Sequence, residues 1–229
     1  MQTHHAAATT QAQSALATNK VLKNTYMLLS MTLLFSAAMA GVSMAVGMPY
    51  GVGLICSLVS LGLLWFVVPR TANSSAGIGV VFAVTGLLGL GLGPVLNFYL
   101  TGFSNGGQII MASMGLTGAT FVGLSAYALT TKRDFSFMRQ ALFAGIMVAF
   151  VAAIGMLIAS FFGFYFQPLA LAISALFAVL MCGMILWQTS EIVNGGETNY
   201  ILATIGLYVA IYNLFTSLLH LLGFAMGEE

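Results

Sequence analysis

Seven stretches of this chain stay apolar for about twenty residues each, and no other feature restricts its fold so strongly. They run from Tyr26 to Val46, Gly51 to Val68, Ile78 to Leu100, Gln108 to Leu129, Ala141 to Phe162, Pro168 to Trp187 and Tyr200 to Phe224. Each has the length a helix needs to cross roughly 30 Å of hydrocarbon. Water is absent from that layer, so a spanning segment must pair its own N–H and C=O groups by coiling into a helix. Composition leaves no soluble alternative. The chain is 60% hydrophobic and 5% charged, with a mean hydropathy of +1.02, whereas a soluble domain carries about 25% charged residues. The expected fold is an all-α membrane protein with seven transmembrane helices over residues 26–225. A flexible tail, 1–25, precedes them and a short end, 226–229, comes after. The connections are too short to hold a soluble domain.

The basic residues orient the chain. When seven crossings are threaded, all six of them (Lys20, Lys23, Arg70, Lys132, Arg133 and Arg139) fall on the side of the N-terminus. The opposite connections, 47–50, 101–107 and 163–167, contain none. Basic residues near helix ends are retained on the cytoplasmic side, which predicts the N-terminus inside and Glu228–Glu229 outside. Ala38-Met39-Ala40 imitates a signal-peptide cleavage site. The region before the first apolar run is too long for the basic start of such a peptide, and apolar sequence continues past Gly41. The first helix is therefore read as retained. The tail "MQTHHAAATTQAQSALATNK" has no apolar period and is expected to be disordered or at most a fraying helix.

Several chemistries are excluded. A net charge of +1 gives no clustered basic surface for nucleic acid. Cys56 and Cys182 lie in apolar runs far apart and read as packing residues, not as a disulfide. His4 and His5 lack a third ligand and read as solvated. There is no His-Glu-x-x-His pair, and the chain's one aspartate, Asp134, falls in a connection. No catalytic residue, metal or cofactor is expected, and the chain is read as a non-enzyme.

The third run contains "TGLLGLGLGPVLNFYL". A dinucleotide loop needs a strand before it, and here the surroundings are continuous membrane sequence. Gly89 and Gly93 share one helical face and invite close approach of another helix. Pro94 removes a backbone donor. The carbonyl it frees either serves an ion or belongs to a packing seam, and packing is the preferred reading. The seventh run is more polar: Thr204, Tyr208, Tyr212, Thr216 and His220 recur every four residues, with Asn213 and Ser217 alongside. Polar groups facing lipid are costly, so this stripe should face other helices and the last helix should be central. Interhelical hydrogen bonds are favoured over a conduction path.

Four segments carry a family resemblance: "NKVLKNTYMLLSMTLLFSA", "TGLLGLGLGPVLNFYL", "SAYALTTKRDFSFM" and "NGGETNYILATIGLYVAIYNLFTSLLHLLGF". In this order, from about Lys20 to Phe224, the chain resembles the Bax inhibitor-1 superfamily of seven-helix membrane proteins and looks closest to its bacterial YccA-like branch. The resemblance implies a bundle whose last helix is wrapped by the other six, in the bacterial inner membrane. It implies a modulator, and poorly degraded substrate, of FtsH, a membrane-anchored ATP-dependent protease whose assembly can include HflK–HflC. For other branches it implies a pH-sensitive calcium leak governed by two acids.

The positions matching those acids are Gln188 in "LWQTS" and Ala210 in "LYVAIYNLF". Two close carboxylates can share a proton or hold calcium; a glutamine and an alanine cannot. Glu191, one turn beyond Gln188, is the candidate for a displaced acid, with Arg70 or Lys132 as its partner, although a solvated helix-end glutamate is the simpler reading. Asn194-Gly195-Gly196 signals a turn, Thr198 or Asn199 can cap the next helix, and Glu197 would suit that helix's dipole. Two functions are carried forward. The first is a non-enzymatic modulator of FtsH, and the second is a proton or calcium leak.

Overall fold

The computed structural model describes residues 2–227, with side chains described from Leu16 onward. The side chains of His4 and His5, and all of Glu228–Glu229, lie outside the described residues. Every regular element is helical: α1 Gln2–Ala45, α2 Tyr50–Thr71, α3 Ala76–Gly102, α4 Gly106–Thr131, α5 Arg139–Phe161, α6 Gln167–Val193 and α7 Tyr200–Met226. A 3-10 turn, Ser136–Met138, leads into α5. All seven helices are long and apolar enough to cross a membrane.

Two helices extend beyond their apolar runs. The first helix reaches back to Gln2, through the segment read as disordered or fraying; its alanines and glutamines are good helix formers even without an apolar face. The sixth continues to Val193, past the apolar run that ends at Trp187, so Gln188 and Glu191 both stand in its last turns, as the reading of Glu191 as a helix-end residue expects. Hydropathy falls at Trp187, but the backbone ladder needs no apolar side chain to continue. Within α2 the residues Leu63–Val67 form a π turn just ahead of Pro69. A proline that cannot donate to the carbonyl four residues back favours such a bulge. The Arg70 guanidinium turns back to donate to the Phe66 carbonyl.

The chain divides into two compact units, one of residues 1–95 and 188–208, the other of residues 96–187 and 209–229. Helices α3, α6 and α7 contribute to both.

In the first unit a seam of small residues sets the spacing between α1 and α3. A buried stripe on α1 comprises Thr25, Leu29, Thr32, Ser36, Ala40 and Ser43, which is the period of one helical face. Opposite it are glycines. A Cβ on Gly89 would stand 2.3 Å from the Ser36 carbonyl oxygen, and one on Gly93 would stand 2.3 Å from Ser43 Oγ. Gly91 faces α2 instead, where a Cβ would meet Ser57 Oγ at 2.2 Å, and the Pro94 ring fits over Gly53. Pro94 cannot donate to the carbonyl four residues back, that of Leu90. Ser43 Oγ donates to that oxygen at 2.8 Å. The carbonyl freed by the proline is thus consumed by packing and is not left for an ion.

The second unit is held by tight contacts of the same kind. Leu180 of α6 occupies the space beside Gly145 of α5, and Leu142 of α5 that beside Gly183 of α6. The Tyr99 ring lies on Gly223 and stacks on Phe103 at 5.6 Å. Asn105 Nδ2 donates to the Met226 carbonyl. Gly163, at φ +79°, makes the turn between α5 and α6, a conformation that glycine adopts without steric cost. Cys56 and Cys182 are both free thiols. The most apolar stretch of α5 is 11% buried, the least of the seven, and that of α7 is 56% buried, the most.

Two substitutions test the seam. Gly89→Ala forces α1 and α3 apart and should cost about 1–3 kcal/mol, whereas Gly62→Ala, with open space around it, should cost nothing. Ser43→Ala removes the side-chain donor from the carbonyl of half-buried Leu90, for a loss of about 1 kcal/mol. Thermal unfolding in mild detergent measures both.

Candidate functional site at the joint of the sixth and seventh helices

The polar joint is built by two helix ends. Helix α6 closes with Gly196 N and Glu197 N both donating to the Glu191 carbonyl, at 2.8 and 3.1 Å. Gly195, at φ +77°, supplies the left-handed residue this closure requires. Helix α7 then opens on Asn199, whose Oδ1 accepts from Ile201 N at 2.9 Å and Leu202 N at 3.3 Å. Of the two capping residues proposed from sequence, Asn199 is the one that caps. Its Nδ2 reaches across to the connection after α2, donating to the Ala72 carbonyl at 2.9 Å and Asn73 Oδ1 at 2.8 Å. Glu197 Oε1 accepts from Asn199 N at 2.7 Å, which holds its charge at the helix N-terminus. An open polar cavity of about 370 Å³ lies between Ala72–Ser75 and Thr198–Ile201.

Gln188 sits one turn before this closure, against α7. A Cβ on Gly206 would lie 2.9–3.1 Å from three atoms of its amide, so the glycine makes room for the glutamine. Gln188 Oε1 is buried and accepts no hydrogen bond among the described residues. Ala210, the other position matched to a family acid, is buried as a bare methyl group. Neither position carries a titratable group.

Glu191 is the candidate for a displaced acid. Its carboxylate folds against Gly196, and the Arg70 guanidinium is turned to Phe66; among the described residues these two form no ion pair. Lys132, the other suggested partner, belongs to the second unit. No three His, Cys, Asp or Glu side chains gather among the described residues.

The α7 stripe divides into two kinds of contact. Thr204 Oγ1 donates to the Tyr200 carbonyl at 2.7 Å and approaches that of Thr25, on α1, at 3.3 Å. Tyr208, fully buried, shares a 2.6 Å hydrogen bond with Ser36 Oγ and donates to the Thr85 carbonyl at 3.4 Å. His220 Nδ1 pairs with Ser174 Oγ of α6 at 2.7 Å. The Tyr208 and His220 bonds and the approach of Thr204 to Thr25 cross between helices, while the Thr204 bond to Tyr200 stays within α7. Asn213 and Thr216 instead donate to carbonyls of α7 itself, those of Val209 and Tyr212. Ser217 is buried and Tyr212 half-buried. Sequence reasoning missed the Asn199 bridge, Ser36 and Gly206. A glycine inside an apolar helix was the available signal for Gly206; the bridge pairs residues more than 120 positions apart and has no local signature.

Fold and joint together define a seven-helix membrane protein whose sixth and seventh helices meet at a polar joint. The chain belongs to the Bax inhibitor-1 family: the family model described as inhibitor of apoptosis-promoting Bax1 matches residues 18–227. It is 51% identical over 221 residues to an uncharacterized membrane protein of Vibrio cholerae, covering 96% of each chain. It is 48% identical over 215 residues, 94% of each chain, to the Escherichia coli K12 protein named modulator of FtsH protease YccA. A third relative, from Pseudomonas aeruginosa, is 46% identical over 209 residues, 91% of each chain. A counterpart in another Escherichia coli strain is named inner membrane protein YccA, and the seven apolar helices fit the same multi-pass inner-membrane location.

Replacing Asn199 by Ala removes the cap and the bridge to Ala72 together and should cost about 1–2 kcal/mol. Gln188→Met removes a buried, unpaired carbonyl oxygen at similar volume, so stability should be unchanged or higher. Unfolding midpoints of the purified variants decide both.

Proposed function

We propose that this chain acts, without catalysis of its own, as an inner-membrane modulator of the FtsH protease, which it binds as a substrate that is hard to degrade. The observation that carries this reading is the 48% identity to the protein named modulator of FtsH protease YccA, spread over 94% of both chains. The basic residues support an N-terminus on the cytoplasmic side, where an ATP-driven unfoldase would act; HflK–HflC belongs to the same proposed assembly. An unfoldase grips an extended segment. The first twenty residues span about 30 Å as helix and some 60 Å when drawn out. A solvated helix of that length is marginal in water, so unwinding it costs little. Beyond it the pull meets Thr25, Leu29 and Ser36, all buried. A grip that is easily taken on a bundle that resists extraction occupies the protease without feeding it.

The alternative, a pH-sensitive calcium or proton leak, draws support from the family match alone. Gln188 and Ala210 take up no proton, and Asn213 and Thr216 spend their donors on α7's own carbonyls. Both features favour the modulator.

Deleting residues 2–18 should lengthen the protein's lifetime severalfold in cells with active FtsH while leaving its unfolding midpoint unchanged; unaltered turnover would remove the tail from the mechanism. Reconstituted vesicles loaded with a calcium dye should leak no faster than empty ones, and Gln188→Glu is the variant in which a leak would emerge. Reporter fusions at the two ends should report opposite compartments.

A further inference from the structure

At the basic end of α5 and α6 an indole N–H is buried with nothing to donate to. Trp187 keeps 9% of its surface exposed, and its Nε1 is shut off from solvent with no acceptor among the described residues. A donor left in that state is costly. The ring is rigidly placed. Leu142 and Leu180 lock α5 against α6 through the notches at Gly183 and Gly145, and Phe143 meets the Trp187 ring edge-to-face at 5.7 Å and 78°. Over the ring lies the guanidinium of Arg139, with Cζ 5.8 Å from the centroid. Arg139 is exposed, and no carboxylate pairs with it among the described residues. The connection before it adds Lys132 and Arg133 against a single carboxylate, Asp134, which is engaged with Ser136 N at 2.7 Å. The corner therefore sets an indole N–H that has no acceptor among the described residues beside an exposed guanidinium that no carboxylate pairs with among them.

We propose that this corner of the second unit binds the headgroup phosphate of an anionic phospholipid, whose oxygens accept from Trp187 Nε1 and the Arg139 guanidinium. The N–H is closed off in the lipid-free chain, and the exposed Arg139 side chain shifts off the ring face to admit the phosphate. The helical face that Arg139 begins points to lipid and not to free phosphate. Phe143 and Met147, one and two turns on, are 46% and 54% exposed. They form an apolar track for an acyl chain, directed from the charged end into the hydrocarbon. Basic pockets between spanning helices are suited to such headgroups.

The chain has two tryptophans, so a Trp65→Phe background leaves Trp187 as the reporter. In neutral detergent, phosphatidylglycerol should shift the Trp187 emission saturably, phosphatidylcholine with the same acyl chains should not, and millimolar inorganic phosphate should not. Arg139→Gln, an exposed change that leaves the fold intact, should weaken the phosphatidylglycerol response about fivefold, the loss expected for one charge at a lipid surface. Trp187→Phe keeps the ring and loses the N–H; read by thermal shift, it should cut the stabilisation that phosphatidylglycerol gives the parent protein. Equal responses to the two lipids would overturn the proposal, as would an Arg139→Gln titration that matches the parent. An equal response to inorganic phosphate would overturn the assignment to lipid.

Discussion

In hydrocarbon, a hydrogen-bonding group that finds no partner within the protein finds none at all, and this constraint shapes the bundle from α1 to α7. It explains why Pro94, in the middle of a membrane-spanning helix, is accompanied by Ser43, whose hydroxyl takes the Leu90 carbonyl that the proline leaves free. It explains why the hydroxyl of Tyr208, at the heart of the first unit, is matched to Ser36. The Ser43 bond comes with close approach of the α1 and α3 backbones, and such approach requires glycine. Gly89 and Gly93 are there because a single methyl group would collide with the partner helix. Polar pairing and small-residue packing are one arrangement.

Gln188 departs from that arrangement. Its amide is held against Gly206 with the carbonyl oxygen unpaired. The Bax inhibitor-1 resemblance implies an acid at that position and a second acid where Ala210 stands. An amide keeps most of the shape of a carboxyl group but cannot exchange a proton near neutral pH. At the joint Asn199 ties α7 to the connection after α2, and neither Gln188 nor Ala210 is a titratable group.

Much of this was legible in the sequence, for identifiable reasons. The seven helices follow from hydropathy, which acts locally and over lengths set by the bilayer. The approach at Gly89 and Gly93 follows from a four-residue spacing, and the turn at Gly195 from an Asn-Gly-Gly triplet. What escaped was long-range or independent of hydropathy. Helix α6 runs on to Val193 because its closing carbonyl, that of Glu191, finds donors in Gly196 and Glu197, well after the apolar run has ended. The division of the α7 stripe depends on which neighbour stands opposite: Tyr208 meets a serine, while Asn213 returns to its own helix. The pairing of Glu191 with Arg70 failed because Arg70 is engaged beside the π turn of α2, and no composition rule anticipates that turn.

The central claim is that this chain serves the protease as a membrane partner and is not a conduit. Affinity purification of the tagged full-length protein from native bacterial membranes in mild detergent addresses it most directly. The account predicts that FtsH is recovered with it at levels well above those obtained with an unrelated seven-helix protein. Recovery of no FtsH, from membranes in which both proteins are abundant, would contradict it.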